Sequence, residues 1–203
     1  MNLASYTQKG KVIIGIDEAG RGPWAGPVVA SSLLFKSPDV SRDYYLQIRD
    51  SKKLSEKKRE ELYYAIIDDP NIEYNYSFVA NDIIDEINIL QATKQAMLNS
   101  LNKHKEKHDL VLIDGNQLIN YTKAPMEAVI GGDDKVLSIA AASIIAKYMR
   151  DEYMREIDQE YPQYGFVKHK GYGTKLHQEA LKQYGPCEYH RMSFKPVKAV
   201  MGI

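Results

Sequence analysis

Asp17 and Glu18 are adjacent acids at the end of a short apolar run, Val12 to Ile16. Two further acidic positions fall in comparable settings. Asp114 closes the apolar run Leu110 to Ile113, and Asp133-Asp134 precede a long helical pattern. Carboxylates packed together raise one another's pKa values unless cations neutralise them. Hard divalent ions such as Mg²⁺ and Mn²⁺ prefer such oxygen ligands. Two of them about 4 Å apart can activate a water and stabilise the leaving oxygen of a phosphodiester. Taken singly, each acid has a blander reading. Asp114-Gly115 fits an ordinary turn, either Asp133 or Asp134 fits a helix N-cap, and Asp17-Glu18 fits a tight hairpin with two solvated acids. The chemistry requires that residues distant in the chain converge.

The elements that must bring them together are legible as a pattern of runs and breaks. Val12 to Ile16 has the composition of a buried strand. It is followed by the turn Ala19-Gly20-Arg21-Gly22-Pro23 and a second β-branched run from Val28. So few side chains in that turn would let a polymer backbone approach. Ser37 to Arg49 reads as a surface connection. Ser55 reads as the N-cap of a helix that stops near Asp69-Pro70. Ile72 to Ala80 alternates as a third strand, and Asn81 to about Lys107 reads as two short helices meeting near Asn88. After the Leu110 strand, Glu127 to Ile130 is a short fifth strand. A long helix from about Lys135 to Glu160 opens with the small residues Ala140-Ala141-Ala142-Ser143, which suit close packing on a sheet. Tyr161-Pro162 ends it, and the loop KHKGYGT, a helix from Lys175 to Tyr184 and a short C-terminal segment follow. Strands followed by alternating strands and helices predict an α/β fold with a mixed sheet. One catalytic domain over residues 1–203 is expected, with 161–203 as its helical, substrate-contacting part.

Composition excludes little but is informative about compartment. Of 203 residues, 27 are Lys or Arg and 27 are Asp or Glu, so any polyanion surface must come from local segregation of charge. A single cysteine, Cys187, rules out an internal disulfide and a cysteine zinc site. His169, His177 and His190 have no zinc-motif spacing, and His190 and Cys187 read as structural. No apolar run approaches the roughly 20 residues of a membrane span, and the N-terminus lacks a signal-peptide core. A soluble, cytoplasmic, monomeric protein is the expectation.

Longer motifs narrow this reading. GIDEAGRGPWAGPVV, DSKKLSEKKR, LIDGN, GGDDKVLSIAAASIIAKYMRD and YPQYGFVKHKGYGTKLH…HRMSF resemble the ribonuclease HII family in its bacterial form, in the family's order, from about Val12 to Phe194. The resemblance implies a ribonuclease H-like fold, a five-stranded mixed sheet flanked by helices. It implies cleavage of RNA in RNA/DNA hybrids and on the 5′ side of ribonucleotides embedded in duplex DNA, leaving 3′-hydroxyl and 5′-phosphate ends. The family's two Mn²⁺ or Mg²⁺ ligand positions match Asp17, Glu18, Asp114 and Asp133. Asp133 rather than Asp134 lies ten residues before Ser143, which is the family spacing. Asp17 and Asp114 are expected around one ion, and Asp17, Glu18 and Asp133 around the other.

The resemblance also implies how substrate is read. The main chain of Gly20, Arg21 and Gly22 meets the 2′-hydroxyl, the one group separating the two sugars. Tyr172, between Gly171 and Gly173, stacks on the neighbouring deoxyribose. Lys52 and Lys170 are the basic residues best placed for phosphates, with His169 beside them, while Ser143 and Lys147 match family positions that packing explains equally well. Lys57 and Lys58 read as a solvated face. Related alternatives are ribonuclease HIII, which carries an added N-terminal domain with no room here, an inactive hybrid-binding module, and a DNA nuclease or integrase on the same fold.

Overall fold

The run that ends in Asp17 and Glu18 becomes β1, Ile13–Ala19, the central strand of a five-stranded sheet. The computed structural model describes residues 11–37, 43–105 and 107–202. The other strands are β2 (Val28–Phe35), β3 (Ile72–Val79), β4 (Leu110–Asp114) and β5 (Met126–Val129), in the spatial order β3-β2-β1-β4-β5. The first three pair antiparallel, whereas β1–β4 and β4–β5 are parallel. This is the expected mixed sheet. One boundary differs: β1 continues past Ile16 through both acids, because Asp17 and Glu18 still pair with Ser31 and Ala30 of β2.

Alternation along the strands assigns the two faces. Ile14 and Ile16 of β1 and Val111 and Ile113 of β4 share a core with Ile84, Ala92 and Ala96 of helix α2, Asn81–Leu101. On the opposite face lies α3, Leu137–Glu160, whose Ala140, Ala141 and Ala142 join Leu33 and the first helix, α1 (Glu56–Ile67), in a second core. The approach of α3 is very close. A Cβ on Gly15 would fall 2.4 Å from the backbone nitrogen of Ile139. The small-residue patch anticipated this contact, but its glycine counterpart on β1 was not foreseen.

Ser55 caps α1 as expected, its Oγ accepting from the Lys58 N–H at 3.2 Å. Asn88 breaks α2 with φ 69°, and its Oδ1 accepts from the N–H groups of Leu90 and Gln91, restarting the helix. Four expectations need correction. α2 ends at Leu101 rather than near Lys107, since His104 is drawn onto the sheet by Glu73 (2.9 Å) and Ser32 (2.8 Å). α3 begins at Leu137, not Lys135, because residues 132–134 form a separate 3₁₀ turn entered through Gly131 at φ +63°. The connection after Ser37 is not merely superficial. Of its residues, 38–42 lie outside those described, but Asp43–Gln47 forms a 3₁₀ turn that buries Tyr45, and the Tyr44 and Tyr45 hydroxyls donate to Asp69. Finally, the C-terminal part contains two more helices than expected. α4 is Phe166–His169, α5 Lys175–Tyr184 and α6 Lys195–Met201. Tyr164, Phe166 and Ala180 pack with Ala25 and with Met154 of α3.

Candidate active site

Register brings the first two acids together. β1 and β4 run parallel with Ile13 beside Leu110 and Gly15 beside Leu112, so Asp17 and Asp114 emerge side by side at the same strand ends. Both share the face of Gly15, the one covered by α3. The 3₁₀ turn immediately before α3 then carries Asp133 over them. Carboxylate oxygens of Asp17, Asp114 and Asp133 all lie within 4.8 Å of one another, a grouping that could hold a divalent cation. The backbone locks two of them. Asp17 Oδ1 accepts from the Glu18 N–H and Asp114 Oδ1 from the Gly132 N–H, each at 2.7 Å.

The neighbouring Asp134 goes elsewhere. Its carboxylate accepts from Lys53 Nζ at 2.6 and 2.5 Å, on a half-exposed ion pair. Neither acid caps α3, whose N-cap position is Val136. Glu18, on the other face of β1, is outside the three-carboxylate group. It accepts from Arg21 Nη1 at 3.4 Å and points to the adjoining cleft.

Electrostatics at this cluster is unfavourable without a cation. Burial first, and then Glu18, Asp114 and Asp133, hold the Asp17 pKa well above the usual carboxylate range. Asp133 is raised to about 6 by burial and then by Asp114 and Asp50, with Lys52 opposing. Glu18 is raised by burial, against the pull of Arg21. Burial opposes the charge on Lys52, but Asp17, Asp50, Asp133 and Asp114 outweigh it and raise its pKa. One lysine facing this much negative charge leaves an excess that a hard dication would neutralise. The donor set, all oxygen, fits Mg²⁺ or Mn²⁺.

Beside the carboxylates runs a cleft that gathers six of the residues expected to bind substrate. Gly20, Arg21, Gly22, Lys52, Lys147 and Tyr172 line it, together with Glu18. Tyr172 is 46% exposed, so its ring is accessible from the cleft. The three remaining expectations resolve differently. Ser143 is buried on α3, where its Oγ accepts from the Ser51 N–H at 3.2 Å and donates to the Ala140 carbonyl, so it holds the turn bearing Lys52. His169 must be corrected as a phosphate contact. It is 7% exposed, its Nε2 meets the Tyr164 carbonyl at 2.9 Å, and its Nδ1 accepts from the Gly171 N–H. Both ring nitrogens are thereby committed to shaping the Tyr172 loop. Lys170 Nζ donates to the Val167 carbonyl at 2.7 Å and pairs with Glu56 at 3.6 Å.

Sequence reasoning passed over the groups that shape this cleft. Arg150 and Arg191 are among the largest fully buried side chains, and they grip the main chain of the 20–27 turn from beneath. Arg59, also buried, donates to the Ser51 and Leu54 carbonyls and to Asp151, which in turn accepts from Lys147 at 2.5 Å. An arginine four residues after Ala146 in an otherwise apolar helix face was the available signal for Arg150. For Arg191 the signal was its place in the HRMSF motif, which gave no role for it. His177 and His190 are buried and hydrogen-bonded to each other at 3.0 Å, and Cys187 is half-buried.

A mixed sheet in this order, with carboxylates at the ends of its two central parallel strands and before the covering helix, defines a ribonuclease H-like, metal-dependent nuclease. The family model "Ribonuclease HII" matches residues 14–197. A ribonuclease HII of Chlamydia muridarum is 51% identical over 186 residues, covering 92% of this chain and 83% of that protein. One from Endomicrobium trichonymphae is 52% identical over 189 residues, covering 93% and 88%. Among solved structures, the ribonuclease H2 of Pyrococcus horikoshii OT3 superimposes with TM-score 0.77 at 27% identity, covering 94% of this chain and 97% of that one. A Bst ribonuclease HIII in complex with Mn²⁺, 17% identical, shares the fold with TM-score 0.75, covering 98% and 72%. The chain belongs to the ribonuclease HII family. It is a metal-dependent endonuclease that acts on the RNA of RNA/DNA hybrids. No helix among the described residues is long and apolar enough to cross a membrane.

Proposed function

We propose that this enzyme cuts both RNA/DNA hybrids and duplex DNA carrying a single ribonucleotide, on the 5′ side of the ribonucleotide, leaving 3′-hydroxyl and 5′-phosphate ends. The observation that carries this reading is the adjacency of two features: three carboxylates within 4.8 Å of one another, and a cleft whose wall at Gly20 and Gly22 is bare backbone facing Tyr172. Asp17, Asp114 and Asp133, with Glu18 at the edge, would hold two divalent ions, Mn²⁺ or Mg²⁺. Such ions supply Lewis-acid polarisation of the phosphate and a lowered pKa for water.

The protein's own groups do the rest. Asp17 and Asp114 are fixed by backbone N–H donors, so the ligand geometry is set before substrate arrives. Lys52, embedded in the field of the acids, offsets their charge and meets a phosphate at the cleft mouth. The Gly20-Arg21-Gly22 main chain reaches the sugar edge, where a side chain would block approach. Tyr172 packs its ring on the next deoxyribose and directs its hydroxyl to the ribose 2′-oxygen. A role in removing ribonucleotides from DNA follows from that substrate, with the protein acting as a cytoplasmic monomer.

The test is a labelled duplex containing one ribonucleotide, incubated with Mg²⁺, with Mn²⁺ or with chelator, beside an all-DNA duplex of the same sequence. Metal-dependent incision at one position in the first and none in the second is expected. Equal cutting of the all-DNA duplex would overturn the sugar-reading claim, and incision that persists in chelator would overturn the metal claim.

A further inference from the structure

Arg150 and Arg191 are cations buried side by side, an arrangement with an electrostatic cost. Burial lowers the pKa of Arg191 to about 9, with Arg150 adding to the fall, and burial lowers that of Arg150 to about 10. Their partners are main-chain carbonyls. Arg191 Nη2 donates to the Gly20 carbonyl at 2.6 Å and to that of Pro27 at 3.0 Å, Nη1 to Arg21 at 3.1 Å, and Nε to Gly26 at 2.9 Å. Arg150 donates to the carbonyls of Pro27, Ala25 and Lys170, at 3.1, 3.1 and 2.9 Å. A planar guanidinium offers five donors in a fixed fork, enough for the four carbonyls that Arg191 meets, whereas an ammonium has three donors on one freely rotating nitrogen.

The direction of those carbonyls has a consequence on the other side of the chain. No peptide among the described residues is cis. In a trans peptide the C=O of one residue and the N–H of the next point in opposite directions. With the Gly20 and Arg21 carbonyls turned inward to Arg191, the N–H groups of Arg21 and Gly22 are turned outward. Both residues are exposed and line the cleft. Gly22 faces Tyr172 there: a Cβ added to it would lie 3.6 Å from the ring's Cε1. Gly20 is equally committed, since a Cβ would meet Arg150 Nε at 2.2 Å. Arg150 also reaches Lys170, two residues before Tyr172, so the same buried pair spans both walls of the cleft.

We propose that Arg191 is the positioning residue for sugar recognition, aiming the Arg21 and Gly22 amides at the ribose 2′-oxygen, while Arg150 fixes the distance from that turn to the Tyr172 loop. Neither touches substrate. The inference deepens the proposed function and rests on its reading of the Gly20-Arg21-Gly22 turn as the sugar-facing wall.

The experiment compares the parent with R191K, and with R191A in the presence and absence of methylguanidinium. Three readouts are taken: the Mn²⁺-induced rise in Tm, kcat/KM at a lone ribonucleotide, and the amide resonances of Arg21 and Gly22. In R191K the Mn²⁺ shift is expected to persist, the two amide resonances to move, and kcat/KM to fall on the order of 10–100-fold, as for a misplaced positioning group. Methylguanidinium is expected to restore both the resonances and turnover in R191A, which serves as the deciding variant where R191K is too unstable to assay. Undiminished turnover in folded R191K overturns the proposal, as does rescue of turnover without return of the amide resonances. Loss of the Mn²⁺ shift in parallel with activity also overturns it, since the arginine would then be holding the metal site. A parent that leaves the lone ribonucleotide uncut overturns the substrate proposal and the sugar-reading role with it, and unmoved amide resonances in R191K overturn the placement of the amides by Arg191 on their own.

Discussion

Asp133→Asn offers a test in which stability and metal affinity are expected to move in opposite directions. In the metal-free protein Asp133 is raised from 3.8 to about 6, chiefly by burial and then by Asp114. Near pH 7.5 it is nonetheless ionised. A carboxyl raised from 3.8 to about 6 carries, when ionised, up to about 3 kcal/mol of strain that the neutral amide lacks. Protonation of Asp17, whose pKa is also raised, reduces this, so a gain of about 1–3 kcal/mol is expected in chelator. That is roughly 3–10 °C in Tm for a chain of this size. The sign has a pH signature. A carboxyl with a raised folded-state pKa stabilises the fold fully below its unfolded value and loses that contribution as pH rises through the folded value. The advantage of the variant should therefore be absent near pH 4 and complete above about pH 7. With saturating Mn²⁺ the order reverses, because the parent gains by ligand binding what the variant cannot. Urea denaturation with and without Mn²⁺, across that pH range, measures both effects. A variant no more stable than the parent in chelator at pH 7.5, or one with an undiminished Mn²⁺ gain, refutes the reasoning. Asp134→Asn is the control, expected to leave the Mn²⁺ gain intact because its carboxylate is paired with Lys53.

The other expectations concern packing, the buried histidines and substrate. Gly15→Ala drives a methyl into the α3 backbone at Ile139 and should destabilise by about 1–3 kcal/mol, read by urea unfolding; a neutral effect would mean that α3 does not sit this close. His177 and His190 are lowered to about 4, mainly by burial, and link the Tyr172 carbonyl to the Cys187 N–H. Their folded values lie below 6.5, so the stability of the neutral pair is complete above that pH and is lost as pH falls towards 4, up to about 3 kcal/mol each. Imidazole resonances titrating near 6.5 in the folded protein would contradict this. Tyr172→Ala should keep the Mn²⁺-induced Tm shift while cleavage at a lone ribonucleotide falls on the order of tenfold or more; a variant that cuts such a junction like the parent would remove the tyrosine from sugar reading. Hybrid binding should weaken with salt through phosphate contacts such as that of Lys52, and a flat salt response would exclude them.

Local signals were enough for much of this molecule. The apolar runs, the alternation of Ile72 to Ala80, the Ser55 cap and the break at Asn88 are decided within a few residues, and those elements formed, with some ends shifted by tertiary contacts. The motifs around Asp17, Asp114 and Asp133 likewise carry the family resemblance in the sequence itself. Other features depend on partners far along the chain. The family spacing favoured Asp133 over Asp134, but the physical reason lies in a 3₁₀ turn that sends Asp134 to Lys53. His169 turned inward because α4 and α5 close around it, and no local property of a histidine in a basic loop announces that. Arg150 and Arg191 drew no reading from the sequence, since a carbonyl partner leaves no trace in composition. The residue types and order thus determined the strands, the helices and the kind of chemistry available. Tertiary structure alone decided which groups share a site, because strand register and helix docking set distances between residues about a hundred positions apart.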